Sequence, residues 1–131
     1  MIDGLDALIR SVGLPVRPET LAAAWSLTEE EPRSRRLTIL VTLRARPGMD
    51  EELERATVEF VEATLRLEGA IGSTWHRSAG DPLTFILVER FAHRGAFERH
   101  MSADYFRRFQ VVQAPLLAAP AEAIFLERPG T

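Results

Sequence analysis

The strongest constraint on this chain is an ordered alternation of strand-like and helix-like periodicity between Leu37 and Glu127. Leu37-Thr-Ile-Leu-Val-Thr-Leu-Arg44 has the β-branched and apolar content of a strand. Pro47-Gly48 turns the chain. Asp50, followed by Glu51 and Glu52, opens a helix whose acidic first turn suits the helix dipole. Met49, Leu53, Ala56, Phe60, Ala63 and Leu67 then recur every three or four residues as one helical stripe, and Gly69 ends it. Ile71 to Arg77 reads as a second strand, Ser78-Ala-Gly-Asp-Pro82 as a turn, and Leu83 to Phe91 as a third strand. A short helix is expected from Arg94 to Met101. Ser102 is placed to cap the next, from Ala103 to Gln113, on which Phe106, Phe109, Gln110 and Gln113 share a face. Pro115 and Pro120 close this stretch, and Ala121 to Leu126 fits a last strand. The order βαββαβ is the ferredoxin-like split unit, an α+β fold on an antiparallel sheet.

The two faces of that sheet predict an assembly. In the first strand Leu37, Ile39, Val41 and Leu43 oppose Thr38, Leu40 and Thr42; in the third, Leu83, Phe85, Leu87, Glu89 and Phe91 oppose Thr84, Ile86, Val88 and Arg90. A sheet with helices on one side should be polar on the other. Neither face here is polar enough for water, so the second is expected to be covered, by the same sheet of a second subunit.

Residues 1–36 form a separate part, an N-terminal helical extension and linker. Asp3 can cap a helix carrying Leu5, Leu8, Ile9 and Val12 on one side, stopped by Gly13 and Pro15. A second helix starts at Pro18 and offers Leu21, Ala24 and Trp25, before an exposed charged linker from Glu29 to Arg36. Residues 37–127 are the domain proper and 128–131 a tail.

Composition removes several kinds of chemistry. The chain has no Cys, which excludes disulfides and thiolate nucleophiles, and no Lys, so all 16 basic residues are Arg and Schiff-base chemistry is absent. A net charge of -3 leaves no broad basic surface for nucleic acid. No apolar run is long enough to span a membrane, and the N-terminus lacks the basic start and apolar core of a secretory signal, so a cytoplasmic location is expected. The three histidines lack a close metal-ligand spacing, and no metal is expected.

Several pieces, in order, resemble the antibiotic-biosynthesis-monooxygenase family: the strand leading into Arg46-Pro-Gly48, Glu68-Gly-Ala-Ile-Gly72, Phe85-Ile-Leu-Val-Glu-Arg-Phe91, Ala96-Phe-Glu-Arg-His-Met-Ser102, and Tyr105-Phe106. The resemblance implies a homodimeric α+β barrel, paired through the sheet face, with a pocket between sheet and helices. It also implies a cofactor-free monooxygenase that oxidises a small aromatic quinol or anthrone with O₂. An electron-rich phenol, once deprotonated, gives an electron to O₂ by itself, so the protein need only bind, exclude water and take a proton. Two other uses of the scaffold stay open: a non-catalytic dimeric ligand-binding or stress-related module, and a small-metabolite isomerase or lyase. One branch of the family degrades heme with an Asn, a Trp and a His. Aligned with it, this chain has Val41, Phe91 and Gln110, and no Asn anywhere, so that triad is missing; the alignment implies that these three line the pocket.

Glu89 is the most informative single residue, a carboxylate on an apolar strand face with Leu87 and Phe91. It is either a structural ion pair or the pocket base. His100 is either a second acid–base group or a helix-end histidine bonding to carbonyls. Trp75, Tyr105, Phe106 and Phe109 either pack the core or stack on an aromatic substrate. Gln110 is a polar side chain on an apolar helical stripe, at or near the pocket.

Overall fold

The computed structural model describes residues 36–126. The helices expected before Arg36, together with Glu127 and the tail, lie outside the described residues. Four strands and three helices follow in the order β1 (Leu37–Arg44), α1 (Asp50–Leu65), β2 (Ala70–Arg77), β3 (Thr84–Phe91), α2 (Arg94–Ser102), α3 (Asp104–Gln113) and β4 (Glu122–Leu126), with one 3₁₀ turn at Ala114–Leu116. The sheet runs β2-β3-β1-β4, each neighbour antiparallel to the next. This is the ferredoxin-like arrangement expected from the sequence.

Register explains which residues are inside. Leu37, Ile39, Val41 and Leu43 pair with Phe91, Glu89, Leu87 and Phe85, so one face of the central strand pair is almost wholly apolar and lies under the helices. Phe125 and Ala123 of β4 extend that face beside Ile39 and Val41, and Thr38 stands opposite Leu126. Full burial of each such Leu or Phe contributes roughly 1.5–3 kcal/mol. On the other face Leu40 lies between Val88 and Ile124, and Thr42 between Ile86 and Glu122. No described helix covers that side: Ile124 and Leu126 are exposed, and Leu40, Ile86 and Val88 are only half-buried.

Two local readings change. The stripe that α1 buries consists of Leu53, Thr57, Phe60, Val61 and Thr64, while Met49 is exposed and Ala56 and Ala63 are half-buried. The helix is turned so that two threonines sit inward. The Thr64 hydroxyl escapes the cost of burial by donating to the Phe60 carbonyl at 2.8 Å. Ser102 does not cap α3; its hydroxyl donates back to the Glu98 carbonyl at 2.9 Å, because Ser102 is still the last residue of α2 and Ala103 is the extended link between the helices. The cap of α2 is His93, whose Nδ1 accepts from the Ala96 amide.

Gly69 sets how closely α2 approaches the sheet. Its φ is +93°, and a Cβ there would lie 2.5 Å from Ala96 Cβ. The loop therefore seats directly on α2, and Arg99 donates to the Glu68 carbonyl beside it. That contact fixes the helix carrying His100 over β3.

Candidate active site

β3 places Glu89 on the helix-covered face because its parity matches Phe85, Leu87 and Phe91. The carboxylate is 3% exposed, and its neighbour across the gap, His100 of α2, is 1% exposed. His100 Nε2 lies 3.6 Å from Glu89 Oε1, an ion-pair distance that is too long for a good hydrogen bond. Among the described residues Glu89 Oε2 has no hydrogen-bond partner. The other imidazole nitrogen, Nδ1, makes a short 2.7 Å bond with the Tyr105 hydroxyl. His100 is thus no helix-end residue bonding to carbonyls.

Aromatic rings enclose this pair. Phe91 and Phe60 tilt against the imidazole at 4.8 and 5.4 Å, and Phe106 meets it edge-on at 5.0 Å. Burial pushes the Tyr105 hydroxyl up to about 12; a hydrogen bond with Thr64 opposes the rise, and the charge of Glu89 adds to it.

Two hollows flank the cluster. The inner one, about 40 Å³, lies between sheet and helices and is lined mainly by apolar side chains, with Glu89, His100, Gln110 and Gln113 as its polar groups. Gln113 is buried, and its Oε1, like Glu89 Oε2, has no partner among the described residues. The outer one is a groove of about 390 Å³ between α1 and α3, rimmed by Arg55, Arg66 and Arg108, with Tyr105 in its wall. Phe60 and Phe109, stacked at 4.3 Å, line both hollows and form the partition between them.

The residues singled out from the sequence divide accordingly. Glu89, His100, Val41, Phe106, Phe109 and Gln110 line the inner cavity. Phe91 does not; it is fully buried between His100 and Phe97 of α2, which fills the space above that end of β3. Trp75 does not either, because β2 is the edge strand away from α3 and its indole stacks on Phe85 at 5.7 Å. Tyr105 lines the outer groove and reaches the inner site only through His100. Gln113 escaped notice as a site residue, although it follows Gln110 by three positions on the same stripe. Among the described residues no group of three or more His, Asp or Glu could hold a metal ion.

A ferredoxin-like sheet with a buried carboxylate–imidazole pair under its helices defines the class of the domain. The family model of the antibiotic biosynthesis monooxygenases matches residues 36–112, more than half of the chain, and the chain belongs to that family. Solved structures agree. PA3566 from Pseudomonas aeruginosa is 28% identical, with a TM-score of 0.68 over 75% of this chain and 98% of its own. Rv0793 from Mycobacterium tuberculosis, 18% identical, shares the fold with a TM-score of 0.69 over 74% of this chain and 98% of its own. A curated relative, the uncharacterized protein sll1783 of Synechocystis, is 24% identical over 86 residues, 66% of this chain and 58% of that protein. The chain therefore spans just over half the length of that relative.

Proposed function

We propose that this protein is a monooxygenase that oxidises a small electron-rich aromatic, a quinol or anthrone, with O₂, and that Glu89 is the base that starts the reaction. The observation that carries this reading is Glu89 Oε2: a buried carboxylate oxygen on a largely apolar cavity, with no hydrogen-bond donor for it among the described residues. An unsatisfied buried acceptor costs about 1–3 kcal/mol, more when charged, and a phenolic O–H entering the cavity would offset that cost. Family membership supports the same chemistry.

In this scheme Glu89 takes the phenolic proton, and the dry surroundings keep the phenolate electron-rich. The phenolate passes one electron to O₂. The resulting radical and superoxide combine to form a C–O bond, and the peroxide loses water to leave a carbonyl. One oxygen atom ends in product and the other in water, and the substrate supplies all the electrons. The cavity of about 40 Å³ holds a water or O₂, whereas an aromatic ring needs several times that room. Binding therefore requires side chains that line the cavity to move apart.

Oxygen uptake with a panel of hydroxynaphthoquinols and anthrones is the test. Turnover is expected, with a loss of about a hundredfold or more in Glu89→Gln, the size typical of a positioned base. Absence of turnover in folded protein would overturn the reading. The small cavity favours one alternative, a non-catalytic dimeric module, for which Glu89→Gln would leave ligand affinity unchanged. We also infer that two copies pair through the open sheet face, where Leu40, Val88 and Ile124 lie side by side and no described helix covers them.

A further inference from the structure

Two buried oxygens on the inner cavity lack a partner, and they come from opposite walls. Glu89 stands on β3 in the sheet, and Gln113 is the last residue of α3. Both line the same cavity of about 40 Å³. Glu89 Oε2 and Gln113 Oε1 have no hydrogen-bond partner among the described residues, and the two residues are 3% and 4% exposed. Gln110 is the other amide on this cavity. It is half-buried, within reach of water, and so is under no such constraint.

Gln113 is a poor choice for packing alone. It follows Phe106 and Phe109 on the buried stripe of α3, where a Met would fill the same space without a polar atom to satisfy. The amide oxygen there loses water and gains no donor among the described residues. Gln113 lies one residue past the stretch that the family model matches, so family membership assigns it no role. A ligand that satisfies both oxygens must carry two donors. With Glu89 accepting from one hydroxyl of a bound aromatic, Gln113 Oε1 is left to accept from a second.

We propose that Gln113 selects the substrate by holding a second hydroxyl of the aromatic whose first hydroxyl faces Glu89. The site then takes dihydroxy-aromatics in preference to monohydroxy ones. A ligand with one hydroxyl binds at a loss, because it leaves a buried acceptor unpaired. This assignment deepens the proposed function and rests on its placing the aromatic in this cavity.

Binding measured without oxygen tests it apart from turnover. Naphthohydroquinone, with two hydroxyls, and α-naphthol, with one, are titrated anaerobically into the full chain by calorimetry. The wild-type protein is expected to bind the diol about tenfold tighter or more, as befits a buried acceptor that is paired in one complex and not in the other. In Gln113→Met the two affinities should become equal, while the urea midpoint stays or rises because an unpaired amide has left the interior. A preference that survives in Gln113→Met, or that falls only together with the midpoint, overturns the assignment. A wild-type preference below about threefold overturns it without any variant, as does failure of both probes to bind. The monomethyl ether of naphthohydroquinone accepts at its second oxygen but cannot donate, and should bind no better than α-naphthol. Binding equal to that of the diol would mean that Gln113 donates, and would also overturn it. A clear preference in protein that takes up no oxygen keeps Gln113 and removes only the monooxygenase; oxygen uptake without the preference does the opposite.

Discussion

Glu89 and Arg90 are neighbours on β3 and belong to different environments. Glu89 points under the helices, where water is excluded and one of its oxygens goes unpaired. Arg90 points to the open face and stays exposed, in register with Thr38 and Gly72. The covered face is apolar with one carboxylate–imidazole pair set into it. The open face is mixed, with an apolar strip along Leu40, Val88, Ile86 and Ile124 that nothing described here covers. The contrast separates two roles for one sheet. On the function proposed above, the covered side would carry the chemistry, where a charge is costly and therefore informative, and the open side would carry the pairing of subunits.

The largest expected effect lies on the covered side. Leu87 is 1% exposed, and Leu87→Ala should destabilise the fold by about 2–5 kcal/mol, read as a fall in the urea midpoint. A loss under about 1 kcal/mol would mean that the covered face is not the packed core described above. Next comes its neighbour. If the open faces pair as proposed, Val88→Arg should leave the fold intact and weaken pairing by about 2 kcal/mol or more, seen as a shift of the sedimenting mass toward the monomer in the ultracentrifuge. If Val88→Arg unfolds the chain, or leaves the mass as it was, the division of roles between the faces fails.

The smallest effect concerns pH. The chain has a single tyrosine, so phenolate absorbance reports Tyr105 alone. After a rapid jump in pH, the folded protein should ionise with a midpoint of about 12, against an ordinary value of 10.0. Its proton is held more tightly in the folded than in the unfolded chain. The associated stability is complete below the ordinary value and is lost as pH rises through the folded one. A midpoint near the ordinary value would place Tyr105 in water and remove it from the covered side.

Much of the fold was legible because strands and helices announce themselves by period. β1 was read to its ends at Leu37 and Arg44, and α2 to within one residue. The rotation of α1 was not legible. Thr57 and Thr64 look polar in sequence, and only the i−4 carbonyl bond of a helix makes the inward placement of Thr64 tolerable. Glu89 stood out by its strand parity, and the register keeps it beside Ile39 on the covered face. The Tyr105–His100 bond was beyond sequence, since it depends on the angle at Ala103 that turns α3 back toward α2. Trp75 illustrates the converse: an aromatic residue suited to a ligand faces Phe85 because its strand lies at the sheet edge.

The pairing of Thr38 with Leu126 has a use in protein engineering. The chain comes into the domain on β1 and leaves it on the adjacent strand β4, about 5 Å away across one ladder spacing. Two ends held that close can be joined by a few residues, and new ends opened in the exposed turn at Ala79-Gly80-Asp81, without crossing the sheet. The same geometry lets the domain be spliced into a surface loop of a host protein, which need part its own backbone by no more than the width of a strand.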